Sequence, residues 1–341
     1  MKKGYLIGAT IALVIIAVAA AIGLYAYRSL NEACVEHTLH LYISKDTTYE
    51  SVAEQIHEAI TNDRAFDYYA EKNDLEHSFE PGHYLLTIDM SVVQIVRTLK
   101  LGWQTPVRVT MNNAKIPAQL AKKLEGQIDA DSTAIIAVIG SDKVAKQYGF
   151  KNALAMYSMF IPNTYEMYWD TSVEEFVERM HTEYERFWTK ERDAKRKRSG
   201  LSRMQVMTLA SIVYEETRKG DEMPRVAGVY INRLRKGMPL QADPTIKYAM
   251  QQFGLRRILK SYLKYPSPYN TYINKGLPPS PICMPSVEAI EAVLNFEKHE
   301  YLYFCARHTF DGYHNFARTY SDHMKNARLY QSELNKRKIM K

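Results

Sequence analysis

Two adjacent carboxylates, Glu215 and Glu216, end an apolar run whose periodicity is helical. At 3.6 residues per turn, Glu216 lies on the same helix face as Leu209 and Val213. Glu215 lies on the polar face of Ser211, so we expect Glu215 to face water and Glu216 to be buried or to face a cleft. Burial raises the pKa of a carboxyl group, and a carboxylic acid still protonated near neutral pH can act as a general acid. The alternative is that Glu216 is only the last polar residue of an ordinary helix.

A second carboxylate suited to this chemistry is Asp243, in a turn before Pro244. Hydrolytic glycosidases usually need two carboxylates, and Asp243 is a candidate for the second, although the sequence does not give its distance from Glu216. Residues 266–286 form a long segment rich in Pro, Asn and Tyr, which is typical of a functional loop. His314, in a later loop, is a candidate hydrogen-bond partner of a substrate.

Several familiar sites are missing from the sequence, which has no Gly-x-Ser-x-Gly, no P-loop and no dinucleotide fingerprint. Ser261 and Lys264 match a Ser-x-x-Lys pattern, but the accompanying Lys-Thr-Gly is absent, so we attribute this match to chance. The spacing of His308, His314 and His323 fits no zinc motif. We therefore expect neither a metal nor a cofactor.

The cysteine count argues against a disulfide-rich protein, and the net charge gives little reason to expect a nucleic-acid-binding protein. Cys34, Cys283 and Cys305 are too few for a disulfide framework; Cys283 and Cys305 could pair in an oxidising compartment, but their spacing does not decide this. A net charge of +7 over 341 residues is weak evidence for nucleic-acid binding, and we expect no nucleic-acid partner.

The N-terminal segment predicts a membrane anchor. Two lysines precede the 24 uncharged residues Gly4–Tyr27, a length that spans a bilayer as a helix, and Arg28 closes the segment. We favour an uncleaved anchor over a signal peptide, for which Ala17–Ala19 offers a cleavage site. The lysines place the N-terminus in the cytoplasm and the rest of the chain outside.

The next part of the chain predicts a small βααβ unit, about the size of a LysM-type module, over residues 36–103. Its elements are a strand at 38–43, a helix opened by a Thr47–Glu50 capping box, a helix around 66–72, a strand at 83–88 and a further helix capped by Ser91 and Gln94.

The remaining residues, 105–341, predict a larger α+β domain. We expect strands at 106–111 and 301–305 and helices at 117–124 and 132–139. We also expect one long helix, which a capping box at Ser172 opens and which runs from Val173 to the basic run Lys195–Arg198. A helix capped by Ser202 with Gln205 carries Glu216, and a loop at 308–316 and a terminal helix from Thr319 follow.

The stretch Leu209–Thr217 resembles the Leu-Ala-Ser-Ile-Val-Glu-Lys-Glu-Thr signature of the YceG-like family, the membrane-anchored endolytic murein transglycosylases. The resemblance continues through Phe160–Tyr165, Tyr230–Leu234, Leu240–Thr245, Ser267–Tyr272, Gly276–Pro279, Tyr301–Phe304 and the loop of His314. Tyr214 replaces the first Glu of the signature, Asn163 replaces an Asp, and Ser158 replaces part of a Glu-Gly pair. The resemblance implies a cytoplasmic N-terminus and anchor at 1–28, a LysM-like module at 36–103 and a YceG-like catalytic domain at 105–341.

In that family the second Glu of Glu-Lys-Glu-Thr is catalytic, and this position corresponds to Glu216. The resemblance implies non-hydrolytic cleavage of the β-1,4 bond between N-acetylmuramic acid and N-acetylglucosamine within glycan strands. A single Glu acts as acid and then as base, while the muramic C6 hydroxyl attacks C1 and leaves a 1,6-anhydro end. An internal nucleophile has a large effective molarity, so no second carboxylate is required.

The resemblance also implies which residues bind substrate or orient Glu216: Gln241, Asp243, Thr245, Tyr269, Asn270, Thr271, Tyr272 and His314. The implied partners are peptidoglycan strands, the cell membrane and, near it, cell-wall synthases. Two alternatives stay open. One is a hydrolytic muramidase that uses Glu216 with Asp243, and the other is a non-catalytic glycan-binding scaffold of a cell-wall synthesis complex.

Overall fold

The structure is a computed structural model that describes residues 2–255 and 257–337 of the chain. It contains helices and short two-stranded sheets, which confirms the predicted α+β class. The chain forms two compact units. The first comprises Met1–Val109, Gln127–Asp129 and Glu166–Thr171, and the second comprises Thr110–Gly126, Ala130–Tyr165 and Ser172–Lys341.

The first unit begins with helix α1 (Lys2–Asn31), whose residues from Leu6 to Asn31 are long and apolar enough to cross a membrane. A signal sequence near an N-terminus has the same properties. No linker separates α1 from the rest of this unit. Leu30 packs against the hydrophobic core of the unit, and the Cys34 amide donates to the Met90 carbonyl at 2.9 Å.

The body of this unit has the predicted strand–helix–helix–strand order. Strand β1 (Leu39–Ile43) pairs antiparallel with β2 (Gly82–Leu86), and helices α2 (Tyr49–His57) and α3 (Asp63–Lys72) lie between them in sequence, followed by α4 (Val92–Lys100). Alternate residues of β1 are buried, as its period of two predicts. The capping box of Ser91 and Gln94 is confirmed, whereas Thr48, and not Thr47, caps α2.

Strand β3 (Val107–Met111) pairs with β4 (Asn163–Met167), and β5 (Tyr303–Ala306) pairs antiparallel with β6 (His314–Ala317). The second unit contains eleven α-helices among the described residues and the sheet of β5 and β6, whereas the residues of the β3–β4 sheet are divided between the two units. The helices are α5 (Pro117–Leu124), α6 (Ser132–Ile139), α7 (Asp142–Gln147), α8 (Ala153–Met156), α9 (Val173–Phe187), α10 (Lys190–Ser199), α11 (Arg203–Glu216), α12 (Met223–Arg235), α13 (Asp243–Ala249), α14 (Val287–Leu294) and α15 (Tyr320–Lys336).

Two predictions for this unit are wrong. The long helix from Val173 is in fact two helices, because the backbone leaves the helical region at Trp188 and Thr189 then caps α10 by accepting a bond from the Arg192 amide. The predicted loop at 308–316 contains the start of β6, whose His314 pairs with Ala306 of β5.

Helix α11 lies at the centre of the second unit. Its residues from Val206 to Val213 are all buried, and it packs against α10, α12, α13 and α14. The predicted capping box holds its first turn, since Ser202 and Gln205 exchange side-chain and backbone hydrogen bonds. This burial fixes the position of the last residue of α11, Glu216.

Candidate functional site

The two carboxylates at the end of α11 have different surroundings. Glu215 does not face water as predicted, because its side chain is only 11% exposed and accepts a 2.6 Å bond from Lys115 Nζ. The polar face of α11 is buried as well: Ser211 Oγ accepts a hydrogen bond from the Ile282 amide. Helical periodicity could not reveal this, because it does not show that α11 is enclosed on every side.

Glu216 lies on the wall of a cavity of about 380 Å³. The other residues that line the cavity are Tyr230, Arg233, Leu240, Gln241, Asp243, Tyr272, Phe304, Cys305, Ala306, His314 and His323. The structure therefore brings five of the predicted site residues together around one space: Glu216, Gln241, Asp243, Tyr272 and His314.

Burial raises the pKa of Glu216 to about 7 from an ordinary value of 4.5. The Tyr230 hydroxyl, which donates to Glu216 Oε1 at 2.7 Å, opposes this rise because it stabilises the charged form. The nearby Asp243 carboxylate raises the pKa further, whereas His314 and Lys247 lower it. A carboxyl group that titrates near neutral pH at a cavity can both give and accept a proton.

Asp243 begins helix α13 and faces the cavity together with Tyr272. The Tyr272 hydroxyl donates to Asp243 Oδ1 at 2.5 Å, which fixes one oxygen of this carboxylate. The residue two positions earlier, Gln241, has a φ of 54°, a left-handed conformation that residues other than Gly and Asn adopt infrequently. Its amide donates to the Thr271 carbonyl, and Arg233 donates to both its side chain and the Leu240 carbonyl, so the strained turn is held from two directions.

His314, at the start of β6, is held by a buried carboxylate. Glu222, only 3% exposed, accepts bonds from the His314 amide at 2.8 Å and from Nδ1 at 2.7 Å. Because a carboxylate only accepts, Nδ1 carries a proton and the ring orientation is fixed. The histidine is thus presented to the cavity in a defined orientation.

Four predicted binding residues do not line this cavity: Thr245, Tyr269, Asn270 and Thr271. All are buried, and their polar atoms bond within the protein. Thr245 and Thr271 share a bond between their hydroxyls, and Thr271 Oγ1 also accepts from the Ala242 amide. Asn270 donates to the carbonyls of Leu263 and Tyr265, just before the loop, and the Tyr269 hydroxyl shares a hydrogen bond with that of Ser280. These contacts hold the loop that carries Tyr272.

Several residues that line the cavity or hold its side chains were not predicted from the sequence. Tyr230 and Arg233 lie within a stretch that resembles the family, but only the packing of α12 on α11 brings the Tyr230 hydroxyl to Glu216. Glu222 gave no signal beyond being an acidic residue before a helix. Phe304 and His323 reach the cavity through the β5–β6 hairpin and α15, whose pairing the sequence did not define.

The site offers no cluster suited to a metal, since no three His, Cys, Asp or Glu side chains are so grouped within residues 2–255 and 257–337. All three cysteines are free thiols, and Cys305 lines the cavity while Cys283 is buried elsewhere.

Comparison with known proteins gives a consistent result. The model of the YceG-like family matches residues 41–329. A protein named endolytic murein transglycosylase from Bacillus subtilis is 27% identical over 319 residues, which cover 88% of this chain and 87% of that protein. A protein of the same name from Streptococcus pneumoniae is 29% identical over 303 residues; the match covers 79% of this chain but only 54% of that longer protein.

A solved structure is similar over most of its length. The crystal structure of a YceG-like protein from Listeria monocytogenes is 26% identical and superposes with a TM-score of 0.56. The superposition covers 85% of this chain and 99% of the Listeria chain.

Proposed function

Because this chain belongs to the YceG-like family, we propose that it is a membrane-anchored endolytic lytic transglycosylase. Its substrate is the glycan strand of peptidoglycan, and it cleaves the β-1,4 bond between N-acetylmuramic acid and N-acetylglucosamine inside the strand. The names of the Bacillus and Streptococcus relatives support the general activity. The observation that carries the proposal for this chain is a single buried carboxyl, Glu216, whose pKa lies near neutrality at a polar cavity.

The reaction uses Glu216 twice. Its carboxylic acid first gives a proton to the glycosidic oxygen as the bond from that oxygen to muramic C1 breaks, which leaves a free 4-hydroxyl on the departing N-acetylglucosamine. The carboxylate then takes the proton from the muramic C6 hydroxyl as this oxygen bonds to C1. The products are a strand with a 1,6-anhydro end and a second strand, Glu216 is protonated again, and no water is consumed.

The other cavity residues bind the sugars and orient the reacting groups. Asp243, Tyr272, Gln241 and His314 supply acceptors and donors for hydroxyl and acetamido groups, and Phe304 supplies an aromatic wall. Thr245, Tyr269, Asn270 and Thr271 act indirectly, because their hydrogen bonds hold the loop that presents Tyr272.

The domain roles follow the same proposal. Residues 36–103 form a LysM-like module, which the order of β1, α2, α3 and β2 supports, and residues 105–341 form the catalytic domain. Residues 1–28 anchor the chain in the cell membrane with the N-terminus in the cytoplasm; the length of the apolar part of α1 and the two lysines before that part support this topology. The catalytic domain then works outside the cytoplasm, near cell-wall synthases.

A hydrolytic muramidase is the second candidate, because Asp243 lines the same cavity as Glu216. In that mechanism Asp243 would serve as nucleophile or base, and water would enter the product. The bond from Tyr272 to one Asp243 oxygen favours an orienting role instead, since it occupies an acceptor site of that carboxylate.

The test is the digestion of uncrosslinked glycan strands by residues 29–341, beside Glu216→Gln and Asp243→Asn variants. We expect 1,6-anhydro ends from the unaltered protein, none from Glu216→Gln, and slower formation of the same ends by Asp243→Asn. Reducing ends that vanish in both variants would favour the muramidase. Full biological function of Glu216→Gln in cells would instead favour a scaffold.

A further inference from the structure

One hydrogen bond in the cavity joins two helices that the sequence leaves unrelated. Tyr230, in α12, donates its phenolic proton to Glu216 Oε1 at 2.7 Å. Tyr230 is 1% exposed, and its ring packs edge-on against Phe304 at 5.8 Å between centroids. The hydroxyl has no second hydrogen-bond partner among the residues that the structure describes.

The protonation of this pair can be assigned from chemistry. Burial raises the pKa of Tyr230 well above 10, so the phenol keeps its proton whenever Glu216 titrates. If the proton of the Glu216 acid were on Oε1, it would point at the phenolic oxygen, and the phenolic hydrogen would lose its acceptor. A buried donor without an acceptor costs about 1–3 kcal/mol, so the acid proton belongs on Oε2.

We infer that Tyr230 is a positioning residue that makes the two oxygens of Glu216 unequal: the phenol holds Oε1, and Oε2 alone delivers and recovers the proton. This inference rests on the proposed function and names which atom of Glu216 performs it. It also makes α12 a support of the reaction, since this helix holds the phenol.

The same bond acts in both halves of the reaction. With the carboxylic acid, it prevents the group from rotating and so keeps Oε2 directed at one place. With the carboxylate, it is a charge-assisted bond and therefore stronger. The bond thus favours the charged form that must remove a proton from the sugar, against the burial that disfavours it.

The pH dependence of Glu216 has several sources that the test must hold constant. Asp243 and Lys247 act from α13, His314 acts from β6, and Tyr230 is the hydrogen-bond donor from α12. Only the last of these is removed by Tyr230→Phe, which keeps the ring and its packing against Phe304. The control is Tyr157→Phe, since Tyr157 is also buried and donates to a carbonyl, that of Ala114, but lies outside the cavity.

The experiment measures kcat and KM for glycan cleavage across pH for the unaltered protein, Tyr230→Phe, Tyr157→Phe and Glu216→Gln. For Tyr230→Phe we expect the alkaline limb of the profile of kcat against pH to move up by about one pH unit, since the hydrogen bond that stabilised the Glu216 carboxylate is gone. We expect kcat on the acidic plateau to fall about tenfold, because the acid is weaker and freer to rotate. KM should change less than twofold, and Tyr157→Phe should keep the original profile.

A second measurement does not depend on turnover. The infrared difference between the unaltered protein and Glu216→Gln isolates the carboxylic C=O band of Glu216, whose loss with rising pH reports its titration. In the Tyr230→Phe background the midpoint should lie about one unit higher. Circular dichroism melting establishes that each variant is folded.

The outcomes separate the inference from the proposed function. An unchanged limb and an unchanged infrared midpoint in folded Tyr230→Phe would overturn the inference, as would a rise in KM alone, which would make Tyr230 a sugar contact. If the unaltered protein forms no anhydro ends, or Glu216→Gln still forms them, the proposed function fails and the infrared midpoint alone judges the role of Tyr230.

Discussion

Glu216 is placed where its charge is unfavourable, and this has a consequence for folding. Its pKa is about 7 in the folded protein and near 4.5 in an unfolded chain, so the folded state binds more protons between these values. The free energy of unfolding therefore decreases as pH rises from about 4.5 to 7. Above pH 7 this residue causes no further change. The same burial that suits Glu216 to proton transfer makes its carboxylate destabilising.

Replacing Glu216 with Gln removes the charge while keeping the shape and an acceptor for Tyr230. We expect Glu216→Gln to raise the free energy of unfolding by about 3 kcal/mol at pH 8 and by almost nothing at pH 4, measured by urea unfolding. The control is Glu300→Gln, whose side chain is 77% exposed and pairs only at the surface. An equal increase in the free energy of unfolding at both pH values would contradict the conclusion that burial destabilises the Glu216 carboxylate.

The second residue-scale prediction concerns Glu222. Gln at this position keeps one acceptor but turns an amide donor toward a donor of His314, so the ring loses its fixed orientation. We expect kcat to fall about tenfold in Glu222→Gln, and about as much in His314→Ala. The double variant should be no worse than the poorer single variant, because the two residues act as one unit.

Steady-state kinetics of the three variants provide the measurement. Glu297→Gln is the control, since Glu297 forms a comparable pair with Arg225 in which both side chains are about 40% exposed. Losses that multiply in the double variant would mean that Glu222 and His314 act separately.

The sequence predicted the position of a residue correctly where that position depends on one helix face. It did not do so where the position depends on packing between distant segments. The face of Leu209 and Val213 placed Glu216 at a cavity. The same reasoning put Glu215 in water, because it could not foresee that Lys115, a hundred residues earlier, covers it. Likewise, Tyr230 and Glu222 became visible only with the packing of α12 and β6.

At the scale of elements, the end of α11 is held by the Lys115–Glu215 ion pair, whose side chains are 22% and 11% exposed. Without Glu215, the Lys115 ammonium is left half-buried with no carboxylate, and without Lys115, Glu215 keeps only the exposed Arg218 at 3.6 Å. We expect Lys115→Met and Glu215→Gln each to lower the free energy of unfolding by about 2 kcal/mol, and the double variant to recover at least half of the summed loss. Urea unfolding measures the three values.

The matched control is the Lys195–Glu191 pair of α10, in which Glu191 is 76% exposed. Its variants should change stability by less than about 0.5 kcal/mol. Losses at Lys115 and Glu215 that are as small as in this control would show that the pair does not secure α11.

The elements themselves were predictable to the extent that their signals are local. Capping boxes at Ser91, Ser172 and Ser202 each begin a helix as predicted. The break between α9 and α10 was missed because Trp188 continues the apolar stripe of α9. Strand β6 was missed because its four residues form a strand only through pairing with β5, which is a tertiary contact.

At the scale of the whole molecule, the predictions concern the N-terminal helix. If α1 is an uncleaved anchor, the full chain should remain in the membrane fraction after an alkaline carbonate wash, and residues 29–341 should be soluble. N-terminal sequencing of the mature protein is the decisive control, since a chain beginning just after Ala19 would identify a signal peptide instead.

Within the first unit, the βααβ body starts directly where α1 ends, as the bond from the Cys34 amide to the Met90 carbonyl shows. The sequence predicted both the apolar helix and the βααβ order that follows it, because these depend on local hydrophobic patterns. It did not predict how the loop of Tyr272, the β5–β6 hairpin and α12 surround Glu216, because these contacts are between segments that are far apart in the sequence.

The central claim is that Glu216 cleaves the glycan with an internal sugar hydroxyl and without water. The measurement that tests it most directly is mass spectrometry of strands digested by residues 29–341 in water enriched in ¹⁸O. The account predicts 1,6-anhydromuramyl ends without ¹⁸O, and their absence with Glu216→Gln. Reducing ends that carry ¹⁸O would contradict it and would make Asp243 the next residue to test as a nucleophile or base.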